Sequence, residues 1–397
     1  AVRRAMENRG INAPLMVVRG DGTLMNDEFA AQSPVETIHS GPAASAIGGR
    51  FLSGEDQALV LDVGGTTTDL ALIKDGKVTV SETGASVSGY QTKVKAANLF
   101  SIGLGGDSHI TLGRGNQIAI GPERVVPLAY LAHLHENVKE RLKALAKRSW
   151  PAPYPRELEY WFLQREVPES NSYTAREEKV IEILRSGPKP ATAVLKSLGL
   201  LDPSQIDLSN LWREEITGKS GFTPTDILHV EGKHTPWDGE ASQAALSVFS
   251  HYLNWDPDQF RQVFWQNVTE KITQAVIHFL TEKEIPPRDQ PEQDLANWFL
   301  DNTLLPEHEQ LETFIKLKIP LIGIGAPADV MLEKTAQVFR TELILPNHYQ
   351  VANATGAVAG SVMVTEEILI YPQLSAGNVD VIGYYLQARD GREEIEE

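Results

Sequence analysis

Short apolar runs alternating with turn residues fill the first part of the chain, and they predict strands. MVVRGDGTLM (16–25), LVLDVGGTTTDLALIKDGKVTV (59–80) and SIGLGGDSHITLGRGNQIAI (101–120) each place Val, Ile or Leu on either side of a Gly-rich turn. Between the first two, SPVETIHSGPAASAIGGRFL (33–52) has a small-residue centre, Ala43-Ala44-Ser45-Ala46-Ile47-Gly48-Gly49. That composition predicts a helix that another backbone can approach closely.

The middle follows a longer period. Thr174 stands three residues before Glu177, a capping-box spacing, and Val180, Ile181, Ile183 and Leu184 follow before Gly187. Farther on, Phe260, Val263, Phe264, Val268, Ile272, Val276 and Phe279 recur at helical spacing and read as a buried face. The last part returns to mixed structure: KIPLIGIGAPADVMLEKTAQVFRTELILP (318–346) predicts strand, Gly loop, helix and strand, and YQVANATGAVAGSVM (349–363) a second small-residue helix. Glycine and tryptophan mark the same division. Eighteen of the 31 glycines lie in residues 1–121, six in 122–309 and seven beyond, whereas all seven tryptophans fall between Trp150 and Trp298.

Composition narrows the function. The 397 residues are 42% hydrophobic and 22% charged, an ordinary globular balance. A formal net charge of −17 argues against nucleic acid or an anionic membrane as partner, because both are bound through clustered Lys and Arg. The absence of cysteine excludes disulfides, thiol nucleophiles and cysteine-ligated zinc. No apolar run is long enough to span a bilayer and no signal-peptide core opens the chain, so the expected location is cytoplasmic. Ala1-Val2-Arg3-Arg4-Ala5-Met6 reads like the middle of an amphipathic helix, which suggests a fragment of something longer.

Chemistry concentrates in three glycine loops. In LVLDVGGTTTDLALI, Gly64 and Gly65 are expected to take the positive φ of a tight hairpin turn, and a plain turn has no need of three threonines. Consecutive backbone N–H groups at such a tip converge on an anion, and the hydroxyls of Thr66, Thr67 and Thr68 add donors that approach a phosphate without bulk. Asp62 is placed to hold Mg²⁺ through its waters, and Asp69 to orient water or a ligand. In SIGLGGDSHI, Gly103, Gly105 and Gly106 present Asp107, which strand alternation would put on the same side as His109 as an acid/base or ligand pair. In GIGAPAD, Gly323 and Gly325 would let a flat ligand lie close to the backbone, with Ala326-Pro327 starting a helix. The third glycine of a dinucleotide fingerprint is absent.

Taken in order, these pieces resemble the actin, hexokinase and heat-shock chaperone ATPase superfamily. Within it the chain is most similar to the hydantoinase/oxoprolinase family, as a hydantoinase A-type subunit. The motifs are SPVETIHSGPAAS (33–45), LDVGGTTTDLAL (61–72), SIGLGGDS (101–108), IGPERVVPL (120–128), FTPTDILHVEGKHTPWD (222–238), and GIGAPADV with PNHYQVANATGAVAG. The resemblance implies an α/β, actin-like (ribonuclease H-like) ATPase fold with a large, mainly helical insertion. Residues 1–50 would be the remainder of a first lobe with a connecting helix. Residues 51–121 and 310–348 would form the second-lobe nucleotide-binding core, 122–309 the insertion, and 349–397 a second connecting helix returning to the first lobe.

It further implies ATP and Mg²⁺ as cofactors and a five-membered cyclic amide as substrate, opened through a phosphorylated intermediate. Gly64 to Thr68, Gly105 and Gly106 would cradle phosphate. Asp62, Asp69 and Asp107 would carry the chemistry, and Gly323, Gly325 and Ala326 would border adenine and ribose. A second, hydantoinase B-type subunit or a homo-oligomer is the implied partner. Two other readings stay open: an acetone carboxylase-type subunit that phosphorylates a ketone or bicarbonate, and a non-catalytic nucleotide switch. The family pattern opens with another Asp-x-Gly-Gly-Thr hairpin, and this chain holds one such element. With half of the phosphate clamp, weak nucleotide binding and little turnover are expected.

Other motifs read as structure. Arg19-Gly20-Asp21 is expected to be a turn, His133 and His135 would point to different helix faces, and EEKVIEILRSGPKPATAVLKSLG (177–199) resembles two helices of a winged-helix unit. Asp226 suits a helix N-cap, with a place facing the cleft as the alternative for it and for His229.

Overall fold

The structure, a computed structural model, describes residues 2–81, 84–87, 90–92, 94–168, 173–282, 294–306, 308–362, 368–374, 381–388 and 391–395. At its centre lies a six-stranded sheet in which Leu343–Ile344, Leu321–Ile324, Ala58–Val63 and Thr68–Lys74 are neighbours in that order, followed by Lys77–Val78. Leu99–Ile102 also pairs with Thr68–Lys74. Ala58–Val63 runs antiparallel to Thr68–Lys74 and parallel to Leu321–Ile324, which in turn is parallel to Leu343–Ile344.

Alternation along these strands sorts two cores. Leu59, Leu61, Val63 and Leu321 belong to the larger one, whereas Ala58, Val60, Ile322 and Ile324 belong to a smaller one on the opposite face. Such strands, apolar on both faces, need cover on both sides. The helix Ser40–Ser53 covers the smaller core, where a Cβ at Gly49 would stand 3.2 Å from Val60. The helix Ala328–Val338 covers the larger one, contributing buried Met331 and Leu332.

The two small-residue helices pack directly on each other. Ser40–Ser53 meets Ala352–Ala359 so closely that a Cβ at Gly48 would overlap the Ala352 carbonyl, and one at Gly356 the Ala44 carbonyl. Both helices are shorter than the pattern predicted. A 3₁₀ turn, Pro34–Thr37, precedes the first, with His39 left-handed at φ 62, and another, Tyr349–Val351, precedes the second. Met363, the last residue of the second predicted helix, lies outside the described residues. Beyond Gly360 the chain runs beside the hairpin of Met16–Val18 and Leu24–Asn26, whose turn holds Arg19-Gly20-Asp21, and Leu24 N donates to Ser361 O at 3.0 Å. Three antiparallel strands follow, Leu369–Leu374, Val381–Ala388 and Gly391–Ile395.

The middle combines helices with a sheet that the sequence reading did not anticipate. Val126–Pro127, Thr217–Gly221, Tyr160–Leu163 and Lys189–Pro190 form four strands in that order. They are too short for a period to emerge, and TGKSG carries little β-propensity. The predicted helices are present. Thr174 N donates to Glu177 Oε2 at 2.8 Å while the Thr174 hydroxyl accepts from Glu177 N at 3.3 Å, a complete capping box. In Pro257–Thr281, capped by Asp256, residues Phe260, Phe264, Val268, Ile272 and Val276 are buried, with Val263 and Phe279 packed beside them. Among the described residues, no helix is long and apolar enough to cross a membrane.

Candidate phosphate-binding site

The hairpin tip closes through Gly64 N donating to Thr67 O at 2.9 Å. Gly65 and Thr66 are exposed, and their backbone N–H groups donate to no protein group among the described residues. The three hydroxyls are unequal. Thr68 is fully buried and donates to Leu104 O at 2.7 Å, and Thr67 donates to Asp69 Oδ2 at 3.2 Å. Thr66 alone projects from the tip uncommitted.

Neither Gly64 nor Gly65 adopts a positive φ, contrary to the turn expectation. Gly65 is required because the second glycine loop lies against it, whereas a Cβ at Gly64 would meet only Thr67 O, at 3.5 Å. Gly106 N donates to Gly64 O at 3.0 Å and Asp107 N to Gly65 O at 2.7 Å. A Cβ at Gly105 would stand 2.6 Å from Gly64 O, and one at Gly65 would stand 2.8 Å from Asp107 Oδ2. The two loops interlock through their backbones, so Gly65→Ala is expected to displace the Asp107 carboxylate. Loss of about 1 to 2 kcal/mol of stability in a denaturant titration would register that displacement.

Three carboxylates surround this tip. Asp62 and Asp69 are directly opposite in the antiparallel register, where like charges repel. Burial raises the pKa of Asp62, a hydrogen bond with Ser45 counters it, and the charge of Asp69 raises it further. Ser45 also accepts from Asn353 Nδ2 at 2.9 Å, linking the two small-residue helices to the hairpin. Asp69 accepts from Ser101 Oγ. Neither carboxylate has a cationic side chain in contact among the described residues, so a divalent cation would relieve both burial and repulsion. The described residues contain no group of three or more His, Cys, Asp or Glu side chains able to hold a metal, so such a cation would keep most of its waters, as Mg²⁺ does. Burial also raises the pKa of Asp107, opposed by Arg124, whose Nε and Nη2 lie 3.2 and 3.1 Å from Oδ2.

The GIGAP loop divides its residues. Gly323 is buried, and a Cβ there would lie 2.8 Å from Leu345 and 3.0 Å from Leu332, so the glycine serves packing under the helix and not ligand approach. Gly325, at φ 90, abuts the hairpin: its Cβ would stand 2.9 Å from Asp62 Oδ1. Ala326 is exposed beside it. Pro327 occupies the N-cap position, one residue earlier in the helix than the sequence suggested.

Asp107 and His109 do not form a pair. Asp107 precedes the strand Ser108–Leu112, so alternation does not bind it, and it turns to the hairpin and Arg124. His109 is buried with Nδ1 3.3 Å from Glu123 Oε2. That contact, with lesser help from Lys219, pulls the Glu123 pKa down to about 2 against the effect of burial. A depressed carboxylate stabilises the fold above its unfolded pKa and loses that contribution as pH falls through the folded value. Wild type should therefore exceed Glu123→Gln by about 1 kcal/mol near neutrality, the figure being reduced for the 47% exposure of Glu123, with the gap closing between about pH 5 and pH 2 in thermal melts.

Asp226 and His229 do not face the cleft. Thr223 is the N-cap, and Asp226 completes its capping box by accepting from Thr223 N and Oγ1 at 3.0 and 2.8 Å. The same carboxylate accepts from Leu128 N, Ala129 N and Ser242 Oγ at 3.2, 2.8 and 2.8 Å, which caps the helix Leu128–Leu134 as well. His229 Nδ1 donates to Thr225 O, 2.8 Å away, Nε2 accepts from Trp237 N at 3.3 Å, and the ring stacks on Trp237. Asp226→Ala should cost about 2 to 3 kcal/mol in thermal or denaturant unfolding, because five donors lose their acceptor in the core.

Residues 1–127 match the family described as Hydantoinase/oxoprolinase, and over that stretch the family resemblance of the motifs is borne out. An uncharacterized protein of Methanocaldococcus jannaschii is 28% identical over 132 residues, which are 30% of this chain and 19% of that protein. The nucleotide-free structure of acetone carboxylase, described with the mechanism of ATP-dependent acetone carboxylation, matches at a TM-score of 0.52 and 14% identity, covering 94% of this chain and 39% of that one. An ATP-dependent caprolactamase from Pseudomonas jessenii matches at a TM-score of 0.49 and 15% identity, over 94% and 40% of the two chains. The first of these structures shares the mixed α/β fold, and this chain spans less than half the length of each relative.

Proposed function

We propose that the hairpin 62–69 and the loop 103–107 bind the phosphates of ATP in a hydantoinase/oxoprolinase-type hydrolase subunit built on an actin-like, ribonuclease H-like lobe. The observation that carries this reading is the interlocked pair of glycine loops. They leave the amides of Gly65 and Thr66 and one hydroxyl exposed above two opposed aspartates. The antiparallel succession of Ala58–Val63, Thr68–Lys74 and Leu99–Ile102, with Leu321–Ile324 and Leu343–Ile344 added in parallel and paired small-residue helices at the sheet, supports the fold assignment. In this reading residues 122–309 are an insertion, and the second lobe consists of 51–121 with 310–348.

An amide carbonyl is a poor electrophile, so its oxygen takes the γ-phosphoryl group and the β–γ bridging bond breaks to release ADP. Water then adds to that carbon and the ring C–N bond opens with a proton passing to nitrogen. A second water releases phosphate from the acyl phosphate. Mg²⁺ held by Asp62 would neutralise phosphate charge during the transfer. Gly64, Gly65 and Thr66 orient the phosphates, Asp107 with Arg124 lies beside them, and Gly325 with Ala326 borders the nucleoside. A partner subunit would complete the hydrolytic step, in the cytoplasm.

Phosphate release by the protein purified with its co-purifying partners tests this. A five-membered cyclic amide such as hydantoin or 5-oxoproline should stimulate release. Stimulation by a ketone with bicarbonate instead would assign a carboxylase subunit, and release indifferent to every small molecule would assign a nucleotide switch.

A further inference from the structure

Apart from the hairpin, the strands Ser108–Leu112, Ile118–Arg124, Tyr160–Leu163 and Thr217–Gly221 border a cavity of about 340 Å³. None of Asp62, Gly65, Thr66 or Asp107 lines it. Its walls carry more charge than packing requires. Lys219 donates to Glu123 and stands 4.2 Å from the centre of the Trp212 ring, Arg156 donates to Asp202 at 2.9 Å, and His109 contacts Glu123. Each wall cation is thus already matched by a carboxylate.

Glu159 is the exception. It is half-buried at the cavity wall, and among the described residues its carboxylate receives no hydrogen bond and forms no ion pair. Burial, the largest effect, pushes its pKa up against the charges of His109, Arg156 and Lys219, none of which forms an ion pair with it. Between the charged groups the wall presents Ile110, Leu112, Trp161, Phe222 and Phe249, interspersed with Thr111 and Ser220. An anionic ligand would have to break existing pairs. A metal ion would find no group of three ligating side chains among the described residues. An organic cation would meet one unpaired carboxylate beside aromatic and aliphatic side chains, with the wall cations already matched to carboxylates. Such a mixture of apolar surface and few polar groups is usual in a small-molecule site.

We propose that this cavity binds a small organic cation, a primary ammonium on an apolar body, with Glu159 as its counter-ion and Trp161 and Phe222 against the apolar part. The assignment does not depend on the phosphate site. Calorimetric titration of the 397-residue chain with benzylammonium, benzyl alcohol and benzoate tests it on the unmodified protein. Benzylammonium should saturate one site and bind at least about tenfold more tightly than the other two. Glu159→Gln should lower that affinity by about tenfold or more without lowering the melting temperature, and Leu112→Trp, which fills the space without touching charge, should also weaken it. Absence of benzylammonium binding, equal binding of benzyl alcohol, or unchanged affinity in Glu159→Gln would each overturn the proposal.

Discussion

Asp62→Asn is expected to weaken Mg²⁺–ATP binding by about tenfold to a hundredfold while making the protein more stable. The two effects share a cause. Asp62 is a largely enclosed carboxylate opposite Asp69, with Ser45 and no cation to compensate it. The amide removes a buried charge and a like-charge repulsion, so a gain of about 1 kcal/mol should appear in thermal melts. The same exchange removes the group assigned to Mg²⁺. Calorimetric affinity for ATP should therefore respond to chelation of Mg²⁺ in the wild type and stay flat in the variant. A variant that is destabilised and binds nucleotide as before would place Asp62 in the structure alone.

Gly356→Ala is expected to destabilise the protein by about 3 kcal/mol or more, although alanine is the better helix former by about 1 kcal/mol. The added Cβ would overlap the Ala44 carbonyl across the helix pair, where backbone offers no flexible tip to move aside. Gly41→Ala is the matched control. It lies in the partner helix with nothing within 4 Å of its Cβ, so that change should be neutral or slightly stabilising. Denaturant unfolding of both variants distinguishes helix contact from helix propensity. Equal stability of Gly356→Ala and wild type would mean that the two helices do not pack as described.

What could be read in advance follows from how local each feature is. The hairpin, the glycine loops and the small-residue helices were legible because the residues that define them are contiguous. Thr68 was misjudged although a signal existed: it begins a strand in which Leu70 is buried, and alternation puts both on the inner face. Gly65 needs to be glycine for a reason no local pattern carries, since the carboxylate its Cβ would meet lies in a loop some 40 residues away in sequence. The role of Asp226 depends on amides 97 and 98 residues earlier. Arg124 lies inside the quoted IGPERVVPL motif, yet only the tertiary fold brings it to Asp107. Short strands such as Thr217–Gly221 owe their existence to partners and not to their own composition.

The most direct test of the phosphate assignment is an amide NMR titration of the chain with Mg²⁺–ATP, which detects weak binding residue by residue. Shifts centred on Gly64, Gly65 and Thr66, extending to Gly105, Gly106 and Asp107, and absent in Asp62→Asn, are the expected result. Shifts elsewhere with those amides unmoved would contradict the account.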